Sequence, residues 1–200
     1  MAGKKIVLID LDQTLIDTEK IKKDRDVLLR RFGVPRGVIT SARKRMDGKL
    51  FHPDILFDHI RRLTGGKYYT PAMKNLYNTL FSKYETYNFP GVSPFLATLS
   101  RRYELVLLSY GHRHFQLKKF RQTRLGKFFK EAVVTSNLHK KKDLASFFKK
   151  HRSDVLLIDD SKSVISAARD VGMKAILVRK NGKNKAYYRK LLKRIEATLG

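Results

Sequence analysis

The stretch KKIVLIDLDQTLIDTEK, residues 4–20, ends the strand-like run Ile6-Val7-Leu8-Ile9 with two carboxylates, Asp10 and Asp12. Alternate residues of an extended strand point to the same side. The spacing therefore sets these two acids side by side, just beyond the last buried residue. Like charges that close repel unless a metal ion, a lysine or a shared proton holds them. A second acidic pair, Asp159-Asp160, follows the apolar run Val155 to Ile158, and Ser109 follows Leu105 to Leu108. Carboxylates from two strands can share a divalent cation, and hard oxygen donors suit Mg²⁺. A lysine from Lys140-Lys141-Lys142 and a hydroxyl at the same edge would complete a phosphate cradle. One carboxylate can then attack phosphorus. The other, two residues on, is placed to act as acid and then as base.

These residues need a scaffold, and the apolar pattern supplies one. Runs of strand length recur at Ile6 to Ile9, Leu105 to Leu108, Val133-Val134, Val155 to Ile158 and Ala175 to Val178. Between the later runs lie segments of helical spacing: Phe115 to Arg124, Leu144 to Lys150 and Val164 to Val171. Short buried strands alternating with helices indicate a parallel sheet covered on both faces. In such sheets chemistry collects at the carboxyl ends of the strands, where Asp10, Asp12, Ser109, Asp159 and Asp160 all fall. Residues 17–88 break the alternation and read as consecutive helices. Asp17 or Thr18 starts the first, Gly33 closes it, Pro53 and Pro71 occupy first turns, and Thr70 is a cap. The expected organisation is an α/β core of residues 1–16 and 89–200 with a helical cap, 17–88, inserted after the first strand. Phe51, Tyr68 and Tyr69 of the cap read as core.

Composition narrows the class. The chain has 200 residues, 42% hydrophobic and 31% charged, enough to bury a real core. It holds no cysteine, which removes disulfides, thiolate metal sites and cysteine nucleophiles and fits a cytoplasmic location. No run approaches the roughly 20 apolar residues a membrane span needs. Lys and Arg number 44 against 18 acids, a net charge of +26. Such an excess favours polyanionic partners, nucleic acid among them. The tail, residues 179–200, carries eight of these cations against one Glu, with one apolar face, and reads as a helix docked on the sheet. Its Tyr187-Tyr188 suits either a basic-aromatic nucleic-acid surface or helix docking.

The segment IVLIDLDQTLID resembles the first motif of the haloacid dehalogenase (HAD) superfamily, a strand followed by Asp-x-Asp-x-Thr. ELVLLSYG resembles the second motif, the lysines before DLASFF the third, and VLLIDDSKSVISAARDVGM the fourth. The resemblance implies a Rossmann-like three-layer sandwich with a central parallel sheet and an inserted helical cap. It also implies a Mg²⁺-dependent phosphatase acting on a small phosphomonoester beneath that cap. Asp10 would be the nucleophile and a metal ligand, and Asp12 the acid and base whose main-chain carbonyl also meets the metal. Thr14 and Ser109 would serve the phosphate-binding loop, and Asp159 and Asp160 the metal. Lys141 is the expected phosphate-binding lysine, because Asp143 two residues on reads as the cap of the next helix. A haloacid dehalogenase proper resembles the scaffold but lacks the second carboxylate. Two residues depart from the pattern: Gln13 stands where Gly or Asn is more usual, and Val164 where an Asp or Asn often lies. The alternatives are a phosphomutase on the same scaffold and a basic nucleic-acid- or ribosome-associated protein with a vestigial site.

Overall fold

Strand β1 (Ile6–Ile9) is buried on both faces, as its unbroken apolar run requires. In the computed structural model, which describes residues 4–47, 49–68, 70–151, 155–180 and 182–200, it lies at the centre of a five-stranded sheet. The other strands are β2 (Glu104–Tyr110), β3 (Glu131–Thr135), β4 (Val155–Asp159) and β5 (Lys174–Leu177). Their order is β3-β2-β1-β4-β5, with every neighbouring pair parallel. The chain builds outward from β1 to β3, then returns to the other side of β1 for β4 and β5. The strand order thus reverses at β1, and the crevice at such a reversal is where open α/β sheets place their ligands.

Register decides which side chains meet. Ile6 pairs with Glu104 and Val155, and Ile9 with Leu107 and Ile158. One step further along, Asp10 stands level with Leu108 and Asp159. Side-chain alternation puts Ile6, Leu8, Val106, Leu108, Val155 and Leu157 on one face. There they form a buried core with Leu144 of α7 (Lys141–His151) and with Val164, Ile165, Ala167 and Ala168 of α8 (Lys162–Asp170). Val164 is thus a core residue, 3% exposed, which explains an apolar side chain at that position of the fourth motif. Helices α5 (Val92–Arg102) and α9 (Lys185–Leu199) pack against one another, α5 also meeting β2. They bury Leu96, Leu99, Tyr188, Leu191 and Ile195. Helix α6 (Arg113–Gln122) packs beside β3. The result is a Rossmann-like α/β fold.

The chain divides into two units, Met1–Asp17 with Glu85–Gly200 and, by itself, Thr18–Tyr84. The helical unit holds α1 (Thr18–Arg31), α2 (Arg36–Lys44), α3 (Pro53–Leu63) and α4 (Pro71–Leu80). Pro53 and Pro71 stand in first turns, and Thr70 caps α4 by accepting the Met73 N–H. Leu28, Leu29, Ile39, Leu56, Ile60 and Met73 are buried in it, and the Arg25 guanidinium lies over the Phe51 ring, 5.4 Å from its centroid. Tyr69 lies outside the described residues. Residues 85–88, read from sequence as part of the insertion, side with the sheet instead. Asp17 N–H donates to the Tyr87 carbonyl at 2.8 Å, and Ile16 bridges Asn88. Among the described residues no helix is long and apolar enough to cross a membrane.

Candidate active site

The two carboxylates that follow β1 are held by two different lysines. Lys140 Nζ donates to Asp10 Oδ1 at 2.6 Å, to Asp159 Oδ2 at 2.7 Å and to the Leu108 carbonyl at 2.8 Å. Those three acceptors are the row that register sets level on β1, β2 and β4. Lys119 Nζ donates to both oxygens of Asp12 at 2.7 Å, and Gln116 Nε2 donates to Asp12 Oδ2 at 2.8 Å. Each of the two acids that the sequence sets side by side is thus met by an ammonium of its own.

Lys140, not Lys141, enters the site. Its side chain is 3% exposed, whereas Lys141 is exposed. Helix α7 begins at Lys141, so Lys140 precedes it and its carbonyl accepts the Leu144 N–H. Asp143 lies inside the first turn and is not the cap. Lys140 itself takes a left-handed φ of 54°, uncommon for a residue with a Cβ. Its N–H is fixed on the Asn137 carbonyl at 2.9 Å.

The electrostatics follow from burial and from the excess of acids. Burial pushes the Asp10 carboxyl up to about 8, against the attraction of Lys140 and with the repulsion of Asp159 and Asp12. Burial, then Asp159, also raises Asp160. Burial alone would lower Lys140, but Asp10 and Asp159 outweigh it and raise its pKa. One ammonium thus faces more carboxylate than it can neutralise. Asp10, Asp159 and Asp160 each bring an oxygen within 4.8 Å of the others. Lys140 occupies one oxygen of Asp10 and leaves Oδ2 without a bond among the described residues. Asp159 Oδ1 accepts the Ser161 N–H at 2.8 Å. An all-oxygen, under-neutralised set, buried at Asp10 and Asp159 and half-buried at Asp160, fits a hard divalent cation. The Asp12 side chain stands apart from this set on Lys119 and Gln116. A part for Asp12 in holding an ion would fall to its main-chain carbonyl.

Ser109 is 1% exposed, and its Oγ accepts from Gln116 Nε2 at 3.3 Å. Gln116 lies against Gly111, whose φ is 149°; a Cβ there would meet Gln116 Cγ at 2.7 Å. Thr14 is 2% exposed and its Oγ1 has no partner among the described residues, while its carbonyl accepts from Tyr188 OH at 2.9 Å. Gln13 has a φ of 56°, so the position is one where Gly or Asn is easiest and Gln is strained. Its carbonyl accepts a hydrogen bond from Lys183 Nζ. Lys183 is 4% exposed, with Phe89 4.4 Å away, and burial pushes its ammonium down to about 8. Residues 183 and 188 thus brace the turn that carries Asp12. Tyr188 is a buried docking residue and Tyr187 lies under the Arg179 guanidinium at 4.5 Å, so neither ring forms an open stacking platform.

Gln116, Lys119 and Lys183 are the residues that reading the sequence misses; for Tyr188 the sequence offers helix docking but not its bond to the Thr14 carbonyl. Gln116 and Lys119, three apart on α6, could have been sought as polar residues on an inward helix face. Lys183 carries no such signal within a tail full of lysines. Replacing Lys119 by Met should leave the Asp12 carboxylate less firmly held, with Gln116 still donating to it, and lower kcat by about 10²-fold, the scale of a small misplacement of a reacting group. KM should stay within about twofold. Steady-state kinetics beside a thermal melt check this, and an unchanged kcat would refute it.

A family model for haloacid dehalogenase-like hydrolases matches residues 7–178, and the chain belongs to that family. No curated protein matches the sequence. Among solved structures, a haloacid dehalogenase-like hydrolase from Burkholderia xenovorans is similar over 99% of this chain and 100% of its own, with a TM-score of 0.75 and 17% identity. One from Xanthomonas campestris has a TM-score of 0.69 and 15% identity, covering 100% of this chain and 96% of its own. A HAD hydrolase from Bacillus subtilis, bound to magnesium, has a TM-score of 0.63 and 16% identity over 100% of both chains. At these identities the likeness shows the fold.

Proposed function

We propose that this hydrolase is a Mg²⁺-dependent phosphatase that cleaves a small phosphomonoester through an aspartyl-phosphate. The observation that carries the reading is the separate custody of the two acids. Asp10 belongs to the carboxylate set suited to a cation, while Asp12, 29% exposed, is held nearby by its own lysine. A haloacid dehalogenase proper has no counterpart to that second carboxylate.

Asp10, Asp159 and Asp160 would hold the ion, with the Asp12 main-chain carbonyl. When bound, Mg²⁺ neutralises charge on the phosphoryl oxygens. The remaining work belongs to the chain. Asp10 Oδ2 bonds to phosphorus as the ester P–O bond breaks, and Asp12 delivers the proton that the departing alkoxide takes up. Asp12, now ionised, removes a proton from water, which attacks phosphorus and restores the Asp10 carboxylate. Lys140, by giving up one of the three acceptors that its ammonium now holds, and Ser109 donate to the phosphoryl oxygens, which carry most charge midway through transfer. Lys119 and Gln116 hold Asp12 through both steps, and Thr14 Oγ1, buried and without a partner among the described residues, is left to serve the phosphate. A phosphomutase would differ in the acceptor, a second phosphorylated substrate in place of water. The chain's lack of cysteine suits a cytoplasmic enzyme.

The test is release of p-nitrophenol from p-nitrophenyl phosphate, with Mg²⁺ and with EDTA, by wild type and Asp10→Asn. Activity should need both the metal and Asp10, and the variant should retain under about 10⁻³ of the wild-type rate, as expected when a nucleophile is removed. Turnover that survives EDTA or Asp10→Asn would overturn the reading.

A further inference from the structure

We infer that the outer face of α9 is a docking surface for the sugar–phosphate backbone of a nucleic acid. The inner face of this helix is spent on the core, with Tyr188, Leu191, Ile195 and Leu199 buried. Its exposed residues are Lys185, Ala186, Arg189, Lys190, Lys193, Arg194 and Ala197. Every charged residue in that group is a cation, and none forms an ion pair among the described residues. Glu196, the one acid of the helix, is taken by Arg102 of α5.

The spacing gives this face its character. Lys185, Arg189 and Lys193 stand four apart, as do Lys190 and Arg194, so like charges are stacked along two adjacent rows. Such pairs weaken a helix where an alternating pattern would strengthen it. A five-cation face about 14 Å long that forgoes internal counter-charges is complementary to an external one. Arg101 and Arg102, exposed at the end of α5, extend the basic surface past the Arg102–Glu196 contact.

The chemistry of the face selects the partner. A protein interface centres on apolar and aromatic anchors, and this face offers two alanines. An interfacial membrane helix turns its apolar side outward, and here that side is buried in the core. Long, flexible cations without open aromatic rings suit phosphates and not base edges, and the adjacent amide of Asn184 is engaged in capping α9, its Oδ1 accepting the Tyr187 N–H. Binding should therefore be insensitive to sequence and steeply dependent on salt. The surface stands independently of the catalytic reading, because none of its cations is placed in the active site.

Fluorescence anisotropy on a labelled 20-base-pair RNA, without metal or substrate, tests this across 50–300 mM NaCl. A DNA duplex and single-stranded RNA of the same length distinguish the form of backbone preferred. The triple variant Lys185→Gln, Arg189→Gln, Lys193→Gln is compared with Lys142→Gln, Lys149→Gln, Lys150→Gln on α7. Both sets lose the same charge, and Gln is a good helix former, so both should fold; melting curves verify that. The α9 variant should bind at least tenfold more weakly at 100 mM salt, with a log–log salt slope shallower by about 2.7, or 0.9 per lost phosphate contact on a duplex. The α7 variant should change affinity by less than threefold. Equal losses from the two variants, or no wild-type binding to any of the three probes at 50 mM salt, would overturn the assignment.

Discussion

Metal-free Asp10→Asn should resist urea better than the wild type at pH 8, although it has lost its nucleophile. The cause is the charge count around Lys140. Asp10 and Asp159 both contact that single ammonium, and Asp160 adds a third acid nearby. Burial holds the Asp10 carboxyl at about 8 in the folded protein, against an ordinary value of 3.8. A group whose folded pKa is raised binds more protons folded than unfolded between those two values. Its favourable contribution is complete below about pH 4 and is lost as pH rises through about 8. Asparagine has no proton to lose and leaves Lys140 with Asp159 as a balanced pair. The variant's advantage should therefore grow from pH 5 to pH 8 and exceed about 1 kcal/mol at the top, less than the worth of one pKa unit. Mg²⁺ should reverse the ranking, since the cation neutralises the wild-type set and the variant has one ligand fewer. Urea midpoints at four pH values, with EDTA and with Mg²⁺, measure all of this. A wild type that stays ahead of Asp10→Asn at pH 8 in EDTA would show the acids already balanced without a cation.

Sequence reveals the acids of this site more readily than the cations that govern them, and the reason is physical. Asp10, Ser109 and Asp159 lie at or just beyond the ends of buried strands, and an apolar run of strand length stopped by a polar residue is visible in one dimension. The sheet that aligns them follows from the same runs, which is why the parallel α/β core is legible. Lys140 depends instead on a left-handed backbone angle and on where α7 starts, and element boundaries are the least certain part of any such reading. A helix start displaced by two residues exchanges Lys140 for Lys141. Lys119 and Gln116 are three apart on a helix, and their inward direction depends on how α6 lies beside β3. Lys183 and Tyr188 reach the first motif from the other end of the chain, beyond residue 178 where the family match stops. Nothing local marks Lys183 off from the surface cations around it.

Lys140→Met should be the most damaging single change in the sheet unit, and Lys141→Met should be nearly silent. The two residues are adjacent, of one type, and differ in burial: the Lys140 side chain is 3% exposed, and Lys141 is exposed. Removing one partner of a buried ionic cluster strands the rest, at a typical cost of about 3–5 kcal/mol. Here the stranded groups are Asp10 and Asp159, whose side chains are 8% and 2% exposed. The Leu108 carbonyl also loses its donor. Protonation of Asp10 can absorb part of the loss, so the variant should be less impaired at pH 5 than at pH 8. Mg²⁺ should restore some stability at pH 8 by supplying positive charge where the ammonium stood. It should not restore turnover, because no donor then reaches the phosphoryl oxygens from the start of α7. Lys141→Met, on the exposed first turn, should stay within about 0.5 kcal/mol of wild type. Chemical denaturation at pH 5 and pH 8, with and without Mg²⁺, separates these outcomes. Equal losses from the two variants would mean that burial and the left-handed turn at residue 140 do not decide which lysine serves the site.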